Sequence, residues 1–167
     1  TALTTTVRTP DGTGSGWAGA SHFDWSRIDP AALGERAIDK ARRSANPSAV
    51  EPGGYTVVLE PTAVGNLVQL IAGALSARSA DEGRSFFTKP GGGTKIGEKV
   101  VDERVTIISD PRDPEGPVVP FTSEGLPLSR TVWIENGVVR NLAYDRYWAE
   151  RQGRTPQPTM GTLRMSG

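Results

Sequence analysis

The 167 residues carry nineteen Lys plus Arg against nineteen Asp plus Glu, with 36% apolar residues, 23% charged residues and no cysteine. One hydrophobic core fits this length, and zero net charge argues against nucleic acid or an anionic membrane as partner, since either would draw on a concentrated basic surface. Without cysteine the chain offers no disulfide, no thiolate for zinc and no thiol nucleophile, a composition that fits the reducing cytoplasm.

The opening TALTTTVRTP has neither an initiator Met nor the basic-then-apolar layout of a signal peptide, and reads as an excised fragment. LTTTVRT, residues 3–9, is rich in β-branched residues and stops at Pro-Asp-Gly, which predicts a strand followed by a turn. Asp29 before Pro30 is an N-cap with proline at the first helical position, and the helix expected over 31–44 puts Leu33, Ala37, Ile38 and Ala41 on one side. YTVVLE, 55–60, entered through Pro-Gly-Gly, reads as a strand buried on both faces.

PTAVGNLVQLIAGALSA, 61–77, has no charge at any position. It falls short of the roughly 20 apolar residues of a membrane span, and Asn66, Gln69 and Ser76 interrupt it. As a helix it collects Val64, Leu67, Val68, Ile71, Ala74 and Leu75 in one stripe, with Thr62, Asn66, Gln69, Gly73 and Ser76 opposite. An exposed helix would carry Lys or Glu on that second face, so both faces are expected to be covered, Leu70 included.

VDERVTIISD, 101–110, is the next predicted strand, and five prolines between Asp110 and Pro127 mark a candidate binding loop. LSRTVWIENGVVRNLAY is a hairpin around Asn136-Gly137, the pair suited to a type I′ turn. That turn sets Ile134 opposite Val139 and Trp133 opposite Arg140, with a cation–π contact of about 0.5–1 kcal/mol expected from the second pair. DRYWAERQ predicts a short helix, and residues 154–167 have nothing to pack and read as a mobile tail. The expected fold is α+β, a strand-rich single domain over 1–153 with antiparallel hairpins and two main helices.

Other motifs carry less. GSGWAG, 14–19, has dinucleotide-fingerprint spacing, but the next helix starts about ten residues later, so a glycine-rich turn or bulge is the better reading. GGTKIGEK, 92–99, puts Glu98 where a P-loop needs Lys, and a carboxylate would repel phosphate. His22 is the sole histidine, too few for a zinc site that draws on three protein ligands. Asp110, Asp113 and Glu115 lack EF-hand spacing and read as a solvated acidic loop.

EPGGYTVVLEPTAVGNLV, EGRSFF, GEKVVDERVTIISDP and FTSEGLPLSRTVWIENGVVRNLAYDRYWAERQG, in that order, resemble the TldD/PmbA family, intracellular metallopeptidases also known as modulators of DNA gyrase. The similarity spans most of residues 35–153. In the catalytic branch of that family a helix carries His-Glu-x-x-x-His, two zinc ligands and a general base. Laid without gaps from Val57, these positions are Gln69, Leu70 and Ala74. An amide and two aliphatic side chains can neither hold zinc nor activate water, and the family's remaining ligand, a cysteine, has no counterpart here.

The chain is therefore most similar to the non-catalytic PmbA (TldE) branch. The resemblance implies no metal or catalytic residue in this chain, zinc only in a catalytic partner, and an oligomer, homomeric or with a TldD-like protease subunit. It also implies unstructured peptides as substrates, with Phe86, Phe87, Phe121 and Glu124 as candidate peptide contacts. Extended peptides can add to an exposed sheet edge through main-chain hydrogen bonds, which suits broad specificity. Two alternatives stand beside this reading: a metallopeptidase active through residues outside these 167, and an interaction module acting on gyrase.

Overall fold

The computed structural model describes residues 1–117, 119–159 and 162–167. Its mixture of helices and antiparallel strands is α+β, as the sequence predicts. The chain divides into two compact units, Thr1–Thr62 and Ala63–Gly167.

In the first unit, strands β1 (Ala2–Arg8) and β2 (Ser15–Ser21) form an antiparallel hairpin with Thr5 opposite Ala18. The Asp11 carboxylate organises the turn, accepting from the Thr9 hydroxyl at 2.5 Å and the Thr13 amide at 3.1 Å, and these bonds hold its pKa below the usual value. Helix α1 (Pro30–Arg43) starts as expected, with the Asp29 side chain accepting from the Ala32 amide at 3.1 Å. It lays Leu33, Ala37 and Ala41 against the hairpin. The first glycines of GSGWAG make that approach possible: a Cβ at Gly16 would stand 2.0 Å from the Ala37 carbonyl oxygen, and one at Gly14 would stand 2.2 Å from that of Ala41. The motif is thus neither turn nor bulge but the start of a strand on which a helix rests backbone to backbone.

His22 sits in a local turn, its Nδ1 accepting from the Asp24 amide at 2.9 Å and its ring stacked on Phe23 at 4.4 Å. Residues 55–60 do not form the buried strand their composition suggests. They are irregular and exposed, with Val58 98% accessible. A strand buried on both faces needs sheet neighbours, and no described strand pairs with this segment.

Helix α2 (Pro61–Ala74) begins at the boundary between the units, and α3 (Ala77–Asp81) follows. The second unit is built on an antiparallel sheet of order β5-β4-β3-β6, from β3 (Thr106–Ser109), β4 (Thr131–Glu135), β5 (Val138–Val139) and β6 (Arg164–Ser166). Asn136 and Gly137 take φ of 49° and 78°, so the β4–β5 turn is the expected type, and Ile134 pairs with Val139. The Trp133–Arg140 cation–π contact does not form. The Arg140 amide donates to the Trp133 carbonyl at 2.8 Å, yet its guanidinium turns to Glu135 at 3.0 Å while the indole enters the core.

That core joins Trp133, Ile107, Ile134, Val139, Leu142 and Leu75, with Phe87 fully buried among them. The buried Trp133 indole N–H donates to the Ser109 hydroxyl at 3.0 Å. Helix α4 (Arg146–Arg151) is capped by Asp145 and tied to α3 by the Trp148 indole, which donates to Asp81 at 2.7 Å.

Two boundaries differ from expectation. The predicted strand 101–110 shrinks to Thr106–Ser109 because the Asp102 carboxylate accepts from both the Arg104 amide and its Nε, each at 2.9 Å, closing a local turn. Arg104 also draws the Asp102 pKa down to about 2. The tail over 154–167 is not free: Gln157 and Tyr144 exchange two backbone bonds of 2.9 Å, and β6 lies antiparallel on β3 with Met165 opposite Ile107. Residues 160 and 161 of that stretch lie outside the described residues.

Candidate functional site

The positions that resemble the family's zinc motif lie on α2, and the geometry there reverses one expectation. Val68 is buried, while Ile71 and Ala74 pack partly on the core of the second unit. Asn66, Gln69 and Gly73 are exposed, as are Leu67 (51%) and Leu70 (73%). Absence of charge did not mean two-sided burial: the helix uses one narrow stripe and leaves Leu70 open. Gln69 and Leu70 therefore face solvent, and Ala74 is half-buried.

Serine 85 ties the next candidates to this helix. Its hydroxyl donates to the Ala74 carbonyl at 2.6 Å, satisfying an orphan acceptor in the last turn of α2 and setting the following phenylalanines beside it. Phe86 is 59% exposed and packs edge-on against Phe87 at 5.3 Å. Lys95 Nζ sits 4.1 Å from the centre of the Phe86 ring, a cation–π contact that composition did not reveal. Phe87 offers no accessible surface, so its part is in the core and it leaves the set of peptide contacts.

Phe121 and Glu124 come from the proline-rich segment. That segment is turned rather than shapeless. Asp110 and Asp113 accept from the amides of Arg112 and Glu115, each at 3.0 Å, and Thr122 donates its amide to the Leu126 carbonyl at 2.9 Å. Phe121 pairs with Pro127 and keeps its ring exposed, and Glu124 is exposed with its carbonyl accepting from Arg146 Nε at 3.3 Å. Among the described residues Phe121 stacks on no other ring, whereas Phe86 packs on Phe87. Residue 118 of the loop lies outside the described residues.

Among the described residues no three His, Cys, Asp or Glu side chains are grouped closely enough to hold a metal ion. At the zinc-motif positions the donor set decides the fit: one carboxamide and two aliphatic chains do not suit zinc, which takes imidazole, thiolate or carboxylate ligands. No helix among the described residues is long and apolar enough to cross a membrane.

Solved structures share this architecture. A Bacteroides thetaiotaomicron protein described as a candidate modulator of DNA gyrase superposes with a TM-score of 0.80 at 22% identity, covering 99% of this chain and 37% of its own. TldE from Thermococcus kodakarensis superposes at 0.71 with 20% identity, over 99% of this chain and 40% of its own. At such identities the likeness establishes the fold. A family model described as the PmbA/TldA metallopeptidase C-terminal domain matches residues 52–165. The chain belongs to the PmbA/TldD family. A protein of Methanothermobacter thermautotrophicus described as a metalloprotease is 32% identical over 131 residues, 78% of this chain and 28% of the relative. The chain thus spans roughly a third of the length of the proteins it matches.

Proposed function

We propose that this chain is a TldE-like domain of a TldD/PmbA-type metallopeptidase assembly, itself without a zinc site, that meets unstructured peptides beside a zinc-bearing catalytic subunit. One observation carries the reading: the residues that resemble the family's ligand and base positions are Gln69, Leu70 and Ala74, and the first two lie on an open helix face. Such a face can still meet a peptide through the Leu67 and Leu70 side chains and the Gln69 amide, with Phe86 beside the last turn. Phe121 and Glu124, both exposed, supply further contacts.

The test mixes the chain with a His-Glu-x-x-x-His relative and follows cleavage of an unstructured peptide. The chain alone is expected to leave the peptide intact and to purify without stoichiometric zinc, while co-purifying with the relative and altering its rate. Chelator-sensitive hydrolysis by this chain alone would overturn the reading.

A further inference from the structure

Two clefts among the described residues of the second unit are nearly equal in size and opposite in charge. One, of about 210 Å³, is lined by Asp110, Asp113 and Glu115 with Arg164, which approaches Asp113 at 3.4 Å. The other, of about 230 Å³, is lined by Arg140, Asn141, Tyr144, Arg154, Thr155 and Gln157, and no carboxylate lines it among the described residues.

The elements around the second cleft fix its polar groups. Helix α4 ends at Arg151, and beyond its cap Gly153, with φ of 62°, turns the chain so that the Arg154 amide reaches the Ala149 carbonyl at 2.8 Å. From there the Arg154 guanidinium lies over the Tyr144 ring, 5.1 Å from its centre, and among the described residues it has no ion-pair partner. Arg140 is held by one contact, Nε to Glu135 at 3.0 Å. Each of the two amides commits one N–H: Asn141 Nδ2 donates to the Val132 carbonyl at 2.7 Å and Gln157 Nε2 to the Thr131 hydroxyl at 2.9 Å. Each keeps a second N–H as well as an acceptor oxygen.

A cleft that combines guanidinium donors with amide oxygen acceptors differs from a phosphate site, where every group should donate. It suits a carboxylate attached to a main chain, the guanidinium taking the two oxygens and the amides accepting the neighbouring N–H groups. We propose that this cleft binds a carboxylate of an extended peptide, with Arg154 as the principal anchor and Arg140 assisting. The proposal rests on the peptide reading above and adds a specificity to it: preference for a negatively charged group, either the free C-terminus or an acidic side chain.

Fluorescence anisotropy on the 167-residue chain tests it with three labelled unstructured peptides. One has a free C-terminus and no acidic residue, one is the same sequence amidated, and one is amidated with an internal Glu. The free acid is expected to bind at least about tenfold more tightly than the plain amide, the loss typical of removing a charge-assisted bond. Arg154→Gln should erase that difference without changing the thermal midpoint, and Arg154→Lys should restore part of it. Recovered binding by the Glu-containing amide assigns the acidic side chain as a source of the carboxylate and supports the proposal. Equal binding of acid and amide, or an Arg154→Gln chain that still discriminates, overturns the cleft while leaving the peptide reading intact. No binding of any peptide defeats both. Displacement by inorganic phosphate, where acetate at the same concentration has no effect, makes the cleft a phosphate site and overturns the proposal.

Discussion

Leu70→Glu is the most informative single change, because two views of α2 give opposite answers. If the uncharged helix were sealed, a carboxylate at this position would have to stay protonated or disrupt its surroundings, at a cost of several kcal/mol. The structure leaves 73% of Leu70 accessible. Full burial of a leucine is worth about 1.5–3 kcal/mol, so the quarter that is covered puts only roughly 0.4–0.8 kcal/mol at stake. Glutamate is nearly as good a helix former as leucine, and its charge remains solvated. Leu70→Glu should therefore cost less than about 1 kcal/mol in urea melts of the isolated chain. Val68→Glu is the paired control, since Val68 is only 6% exposed and a charge there should cost more than about 3 kcal/mol. A Leu70→Glu loss above about 2 kcal/mol would refute the reasoning and mean that the face is covered in solution. Melts repeated over a range of protein concentrations would then tell self-association from internal burial.

Gly16→Ala drives a methyl to 2.0 Å from the Ala37 carbonyl oxygen and should cost more than about 2 kcal/mol by prising α1 from the hairpin, read from loss of helical circular dichroism on heating. Ser109→Ala strands the buried Trp133 indole N–H and should cost about 1–3 kcal/mol in the same melts. Burial pushes the Tyr144 phenol above its usual range, so its contribution to stability is complete below an unfolded value of about 10 and is lost as pH rises through the folded value. Tyr144→Phe should flatten the fall in midpoint temperature between pH 9 and about 11, and an unchanged slope would show the phenol to be solvated.

The elements legible in the sequence are those written in local chemistry. Asp29-Pro30 sets the start of α1, Asn136-Gly137 sets the β4–β5 turn, and Asp145 opens α4, each through bonds made within a few residues. What escaped depends on distant partners. The run 55–60 is charged only at its end, Glu60, and the face of α2 not at all, but scarcity of charge does not require burial within this chain, and both are exposed. β6 reads Arg-Met-Ser, with no strand preference of its own, and becomes a strand because β3 has an edge to pair. At the candidate site the motif spacing placed Gln69, Leu70 and Ala74 on one helix, whereas nothing in Phe86-Phe87 could tell which ring would enter the core. Arg140 and Arg154 line one cleft beside the Tyr144–Gln157 pairing, which has no local signature.

The order of the four-stranded sheet sets an order of assembly. β4 and β5 are joined by a two-residue turn and close at little entropic cost, whereas β3 must wait for residues nearly sixty positions along the chain before its second edge is filled. β6 has three residues, all exposed, so little apolar contact repays that long closure. Its amides should exchange with solvent deuterium well before those of Trp133 and Ile134, and whenever β6 lifts away β3 is left with an unpaired strand edge, the kind of surface on which chains add to one another.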